Sequence, residues 1–170
     1  KQFVLTNAFG GLLTGMKPGD VMVINDHINM TGTNPLFGEN PKGPDGKELG
    51  PRFPDMGNTY EATWRAKLLP KLKAQGLGVH EGVYMGLLGP TFETHAEVRL
   101  FCQWGVGAVG MSTVWEAVAL KHSGAKLCAV SLISNLGAGL SNQVLDHHAI
   151  LETCRASASK VLSGLTDFFA

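Results

Sequence analysis

The sequence predicts an α/β domain with a mixed, mostly parallel central sheet flanked by helices, and three observations lead there. Short apolar runs at 3–6, 21–25, 82–88, 106–110 and 126–133 are rich in Val, Leu, Ile and Met, with turn residues nearby. Such continuous runs read as strands covered on both faces, because a strand with one wet face alternates apolar with polar residues. Between them lie longer helical patterns, and strand–helix alternation along a chain is the mark of a sheet connected through helices.

The elements follow in order. Phe3-Val4-Leu5-Thr6 reads as a buried strand at the very start of the chain. A domain rarely opens in the middle of its sheet, so residues 1–170 are expected to be the C-terminal part of a single domain whose N-terminal strands are missing. Residues 29–57 hold five prolines and six glycines, which leaves little room for regular structure. A loop of that length is either a surface excursion or a functional lid or subunit contact. Asn58-Thr59-Tyr60-Glu61, Thr94-His95-Ala96-Glu97 and Thr113-Val114-Trp115-Glu116 each fit a reciprocal helix cap, a short polar residue followed three later by Glu. Asp146 is placed to cap a last helix running towards Phe168.

Composition excludes several classes. Lys plus Arg and Asp plus Glu number 14 each, so the formal net charge is zero and no basic patch points to nucleic acid. No apolar run approaches the ~20 residues of a membrane helix. Cys102, Cys128 and Cys154 are odd in number and widely spaced, which suits neither a disulfide framework nor a zinc site; a cytoplasmic location and no metal are expected.

Several segments could carry chemistry. Thr6-Asn7-Ala8-Phe9-Gly10-Gly11 follows the first strand, and its small residues suit either a tight turn or a close ligand approach to backbone amides. In Gly110-Met111-Ser112-Thr113, Thr113 is the better cap because Glu116 lies three beyond it, which frees Ser112 for an anion at the helix N-terminus. By the same logic Glu97 serves Thr94, and Glu93 is left beside Phe92 where a strand leads into a helix, the usual ligand position of α/β folds. An isolated loop carboxylate is as a rule a solvated charge; the alternative is that Glu93 accepts hydrogen bonds from ring N–H or amino groups. Asn135 ends a buried strand and can donate and accept at once, although a turn role explains it too. His147 and His148 are adjacent, hence on different helix faces, and are not spaced as a metal pair.

Taken together, these segments resemble the trimeric, low-molecular-mass purine nucleoside phosphorylases. The matching pieces are Thr6–Gly11, Gly19-Asp20, Asp26-His27-Ile28-Asn29, Arg52-Phe53, Glu81-Gly82-Val83-Tyr84, Gly89-Pro90-Thr91-Phe92-Glu93-Thr94, Val109–Val114 and Ser134-Asn135, in the family's order. The resemblance implies reversible phosphorolysis of 6-oxopurine nucleosides (inosine, guanosine) to base and ribose 1-phosphate. No cofactor is implied; inorganic phosphate is a co-substrate. Glu93 and Asn135 would bond the purine, Phe92 would pack on it, and Val109, Gly110 and Met111 would line the pocket. Tyr84 and Met111 would border the ribose, with His147 near its 5′-hydroxyl. Ala8 and Ser112 would contact phosphate. Phe53 would reach a neighbouring subunit's site, implying a homotrimer.

Three departures stand out. Phe9 replaces a common Ala, Trp115 replaces a Pro, and the family's N-terminal phosphate loop and Arg-x-His clamp do not occur; Arg52, Arg65, Arg99 and Arg155 lie in no such motif. The alternatives are a methylthioadenosine phosphorylase, against which Asn135 argues because that group has Asp there, and a non-catalytic purine-binding fragment.

Overall fold

A computed structural model of the chain describes residues 1–141 and 147–170, with side chains at 1–141, 154–155 and 157–170. Its elements are β1 (Gln2–Gly11), β2 (Val21–Asn29), α1 (Ala62–Ala74), β3 (Val79–Gly86), α2 (His95–Gln103), β4 (Val106–Gly110), α3 (Val114–His122), β5 (Lys126–Leu136) and α4 (His147–Phe169). The strands pair in the order β1-β4-β3-β2-β5, and β5 returns to β1. The β1–β5, β2–β3 and β3–β4 ladders are parallel; the short β1–β4 and β2–β5 seams are antiparallel. The sheet is therefore mixed and mostly parallel, as the alternation predicts.

The apolar runs are continuous because both faces of the strands are covered. Val21, Val23, Cys128, Val130 and Leu132 pack under α1 and α4, with Leu68, Leu72 and Val161. Their neighbours Met22, Ile24, Leu127, Ala129 and Ile133 turn the other way, into a core with Tyr84, Val114 and Ala117. Period-2 alternation thus divides one apolar run between two cores. A third cluster seats α2 through Val98 and Phe101 against Leu12, Met85 and Val109.

The strand ends differ from the apolar runs for identifiable reasons. β3 begins at Val79 because the polar side chains that follow find partners, His80 on Asp20 at 3.0 Å and Glu81 on Arg65. β1 continues through Thr6–Gly11, where the sequence suits either a tight turn or a close ligand approach, because β5 pairs with it along its whole length. Gly11 is required there by packing: a Cβ would lie 2.8 Å from Ile133 Cγ2.

Two of the expected helix caps are absent. Asn58 closes a turn, Tyr60 bridges to Leu127, and α1 starts behind Glu61 without a side-chain cap bond. Thr59 Oγ1 donates instead to the Met56 carbonyl at 2.7 Å. Thr113 likewise caps nothing with its side chain; its hydroxyl is taken by other partners described below. The expected Asp146 cap lies outside the described residues. At α2 the reciprocal cap forms: Thr94 Oγ1 accepts from the Glu97 amide at 3.3 Å, and Glu97 Oε2 accepts from the Thr94 amide at 2.7 Å. Thr94→Ala should cost about 1 kcal/mol in urea denaturation at neutral pH. The Thr94 amide and the Thr94 hydroxyl, which donates to Glu97 Oε2 at 2.8 Å, hold the Glu97 carboxyl below its ordinary value. The carboxylate's share of the loss should therefore fade as pH falls through that lowered titration, while the share from the Glu97 amide remains; a loss that grew in acid would contradict the capping account.

Beyond Asn29, the last residue of β2, the loop to residue 57 contains no helix or strand, only an isolated bridge between Lys42 and Glu48. It is nevertheless anchored. Leu36 is buried, Met56 packs on the core, and His122 Nε2 shares a 3.0 Å bond with Asn40 Oδ1.

Candidate functional site

One position organises the site. Gly10 is the register partner of Val109 on β4 and of Asn135 on β5, so three strand ends meet at a residue without a side chain. The β1–β5 register shifts just before Gly10, where Phe9 opposes Ile133 and Gly10 opposes Asn135, leaving Ser134 as the extra residue of a bulge. Bulges re-aim side chains next to active sites, and this one turns Asn135 towards Gly10. A Cβ on Gly10 would sit 3.5 Å from Asn135 Nδ2.

A cavity of about 320 Å³ opens over this junction. β1 contributes Ala8, Phe9 and Gly10; β4 and its exit contribute Val109, Gly110 and Met111; β5 contributes Ser134 and Asn135. Phe92 and Glu93 close it from the β3–α2 connection, and Cys154 from α4. Of the residues singled out in the sequence, Ala8, Phe92, Glu93, Val109, Gly110, Met111 and Asn135 are therefore brought together. Phe9, Gly10 and Ser134 lay inside quoted segments without an assigned base-site role. Cys154 carried no sequence signal, because only the fold brings α4 over β5.

The polar groups are few. Glu93 is half-buried, and burial raises its carboxyl above the ordinary range, helped by nearby Glu97 and partly offset by a hydrogen bond to its own backbone. Asn135 Oδ1 accepts from Ser134 Oγ at 2.7 Å, and its Nδ2 donates to the Leu136 carbonyl at 3.0 Å. An amide has two lone pairs and two protons, so one acceptor and one donor remain for a ligand. No Lys or Arg lines the cavity among the described residues. Arg65 is engaged by Glu81, and Arg52 donates to the Leu36 carbonyl at 3.0 Å and lies over the Phe53 ring.

Other singled-out residues lie elsewhere. Tyr84 is fully buried behind Phe9, ring centroids 5.1 Å apart, with the Ser112 backbone as a polar neighbour of its hydroxyl. Burial holds that phenol well above its ordinary value. Ser112 and Met111 line a neighbouring cavity of about 520 Å³ with Trp115 and Thr31, so Met111 divides the two spaces. Trp115 Nε1 donates to Thr31 Oγ1 at 2.9 Å and ties α3 to the long loop. Phe53 is 87% exposed and lines a third cavity that shares no residue with the first. His147 begins α4, but its side chain and that of His148 lie outside those described.

The backbone before α3 is strained. Thr113 is the one non-glycine residue with positive φ among those described, at φ 75 and ψ −42. The Val114 amide donates to the Ser112 carbonyl at 2.8 Å, which makes Thr113 the centre of a γ-turn of the disfavoured hand. A β-branched residue held there costs about 1–3 kcal/mol and persists only where its surroundings over-determine it.

All 170 residues match the model of the Phosphorylase superfamily. The chain is 43% identical over 153 residues to purine nucleoside phosphorylase 1 of Geobacillus stearothermophilus, covering 90% of this chain and 54% of that protein. It is 38% identical over 167 residues to the purine nucleoside phosphorylase of Mycobacterium tuberculosis, covering 98% of this chain and 56% of that one. Among solved structures, a Schistosoma purine nucleoside phosphorylase in complex with guanosine superposes with a TM-score of 0.88 at 33% identity, over 99% of this chain and 62% of that one. The chain thus spans about half the length of the curated relatives it matches.

Proposed function

The chain belongs to the Phosphorylase superfamily, and from that premise we propose that the protein is a purine nucleoside phosphorylase acting on 6-oxopurine nucleosides. The observation that carries this reading is the meeting of Glu93 and Asn135 in one small, largely apolar cavity, with no other charged side chain in its described lining. A flat heterocycle with N–H donors on one edge and acceptors on another suits that arrangement. Glu93 accepts from ring N–H and amino groups, the spare donor of Asn135 meets N7 or O6, and Phe92 packs on the base. Val109, Gly110 and Met111 line its remaining sides. Met111, between the two cavities, borders the ribose, with His147 at the 5′-hydroxyl, while buried Tyr84 backs Phe9. Ala8 and Ser112 bind phosphate.

In the proposed reaction, the C1′–N9 bond breaks as a phosphate oxygen bonds C1′. The purine leaves with the electron pair and takes up the proton that hydrogen phosphate gives up on bonding C1′. Positive charge gathers on the ribose, next to the phosphate, and negative charge on the base, next to the Asn135 amide. Groups already oriented towards those charges lower the barrier. Phe53, exposed on the long loop, is proposed to enter the site of a neighbouring subunit in a homotrimer.

Incubating the protein with inosine, with and without phosphate, tests the reading. Hypoxanthine should appear together with ribose 1-phosphate, and only when phosphate is present. Release that ignores phosphate would mean hydrolysis. A preference for adenosine or methylthioadenosine would overturn the 6-oxopurine assignment. Asn135→Asp should shift the ratio of kcat/KM values towards 6-aminopurines by about tenfold or more, because a carboxylate accepts from an amino group and repels O6. An unchanged ratio would show that Asn135 does not read the base.

A further inference from the structure

Asn7 has a polar side chain aimed into a core, and neither the base site nor any ladder uses it. Its Nδ2 donates to Thr113 Oγ1 at 2.7 Å, joining β1 to a residue 106 positions away. Its Oδ1 is buried with no hydrogen-bond partner among the described residues, so Thr113 is the one anchor its amide has there. Thr113 is the strained centre of the γ-turn before α3. Its Oγ1 also lies 3.0 Å from Ser112 Oγ.

These contacts form a relay: either hydroxyl of the Ser112–Thr113 pair could donate to the other, and the Asn7 bond is what biases the direction. Thr113 Oγ1 accepts the Asn7 amide proton and so can give its own proton to Ser112 Oγ. Ser112 then keeps its O–H free, and polarised, to point outward at an anion. Hydrogen bonds in such a chain strengthen one another. The same bond helps over-determine the Thr113 backbone, which sets where the exposed Ser112 hydroxyl stands.

We propose that Asn7 is a positioning residue for the phosphate co-substrate, acting through Thr113 to orient Ser112 and never touching the base. This rests on the phosphorolysis proposed above and on Ser112 as a phosphate contact.

The test is steady-state kinetics on the protein as its gene encodes it, with phosphate and inosine varied independently. Asn7→Ala should raise KM for phosphate about tenfold while KM for inosine stays within about twofold. Thr113→Val, isosteric and without the hydroxyl, should reproduce that split even if Asn7→Ala fails to fold. Thr113→Ser should restore it towards the unaltered protein. In the Thr113→Val background, Asn7→Ala should add almost nothing, because the relay is already cut. Equal shifts in both KM values, or an undiminished Asn7→Ala effect on Thr113→Val, overturn the proposal while leaving phosphorolysis intact. Absence of any phosphate-dependent cleavage by the unaltered protein overturns phosphorolysis and this proposal together.

Discussion

Glu93→Gln should lower kcat/KM for inosine by about 10²–10³-fold, and the same protein should be no less stable near neutral pH. A carboxylate offers acceptors on both oxygens to a purine edge, whereas an amide sets an NH2 group against a ring N–H and leaves a buried donor unpaired. The stability half follows from the burial that raises the Glu93 carboxyl above its ordinary value of 4.5. A carboxyl raised in the folded state favours folding below its unfolded titration, and that advantage is lost as pH rises through the folded one. Gln carries no charge at any pH. The variant should therefore melt at or above the unaltered protein at pH 7, and the difference should vanish in acid. Undiminished turnover would remove Glu93 from base recognition; a variant less stable at neutral pH would refute the burial account.

Gly110→Ala should destabilise the protein by about 1–3 kcal/mol or more, the usual cost of forcing atoms into a filled core. The added Cβ would lie 1.7 Å from Phe9 Cδ1 and 2.0 Å from Cε1. Tyr84, which is fully buried, blocks the ring on one side. Relief then comes from pushing the ring into the cavity it lines, or from moving β4 against β1 at the Gly10–Val109 pair, and either disturbs the site. The double variant with Phe9→Ala should recover much of the loss, since the two side chains contend for one volume. Urea denaturation of the two single variants and the double closes this cycle. Additive losses would show that the Phe9 ring is not what excludes a side chain at 110.

The Phe9–Gly110 contact also marks a limit of the sequence. Phe9 stood out there as a replacement for a common Ala, with bulk near a segment of small residues. Its role as the filler between Tyr84 and Gly110 depends on two strands that lie far from it along the chain. The β1–β5 bulge is equally silent, because neither Phe9-Gly10 nor Ser134-Asn135 carries a local mark of a register shift. The capping pattern was legible at Thr94–Glu97, where nothing competed. It failed at Asn58–Glu61, where the sheet edge pairs Tyr60 with Leu127 first, and at Thr113–Glu116, where Asn7 claims the hydroxyl.

The sequence by itself determined the strand and helix alternation, the irregular loop at 29–57, and the reciprocal cap of Thr94 and Glu97 that leaves Glu93 without that job. Those rest on local periodicity, on proline and glycine chemistry, and on side-chain hydrogen-bonding capacity, all of which act over a few residues. Only the tertiary structure decided that Gly10 sits between Val109 and Asn135, that Cys154 joins the cavity wall, that Tyr84 lies behind Phe9, and that Thr113 is held by Asn7. Each of these depends on which strands become neighbours and in what register. That is settled by burying two apolar faces at once, a condition no single segment contains.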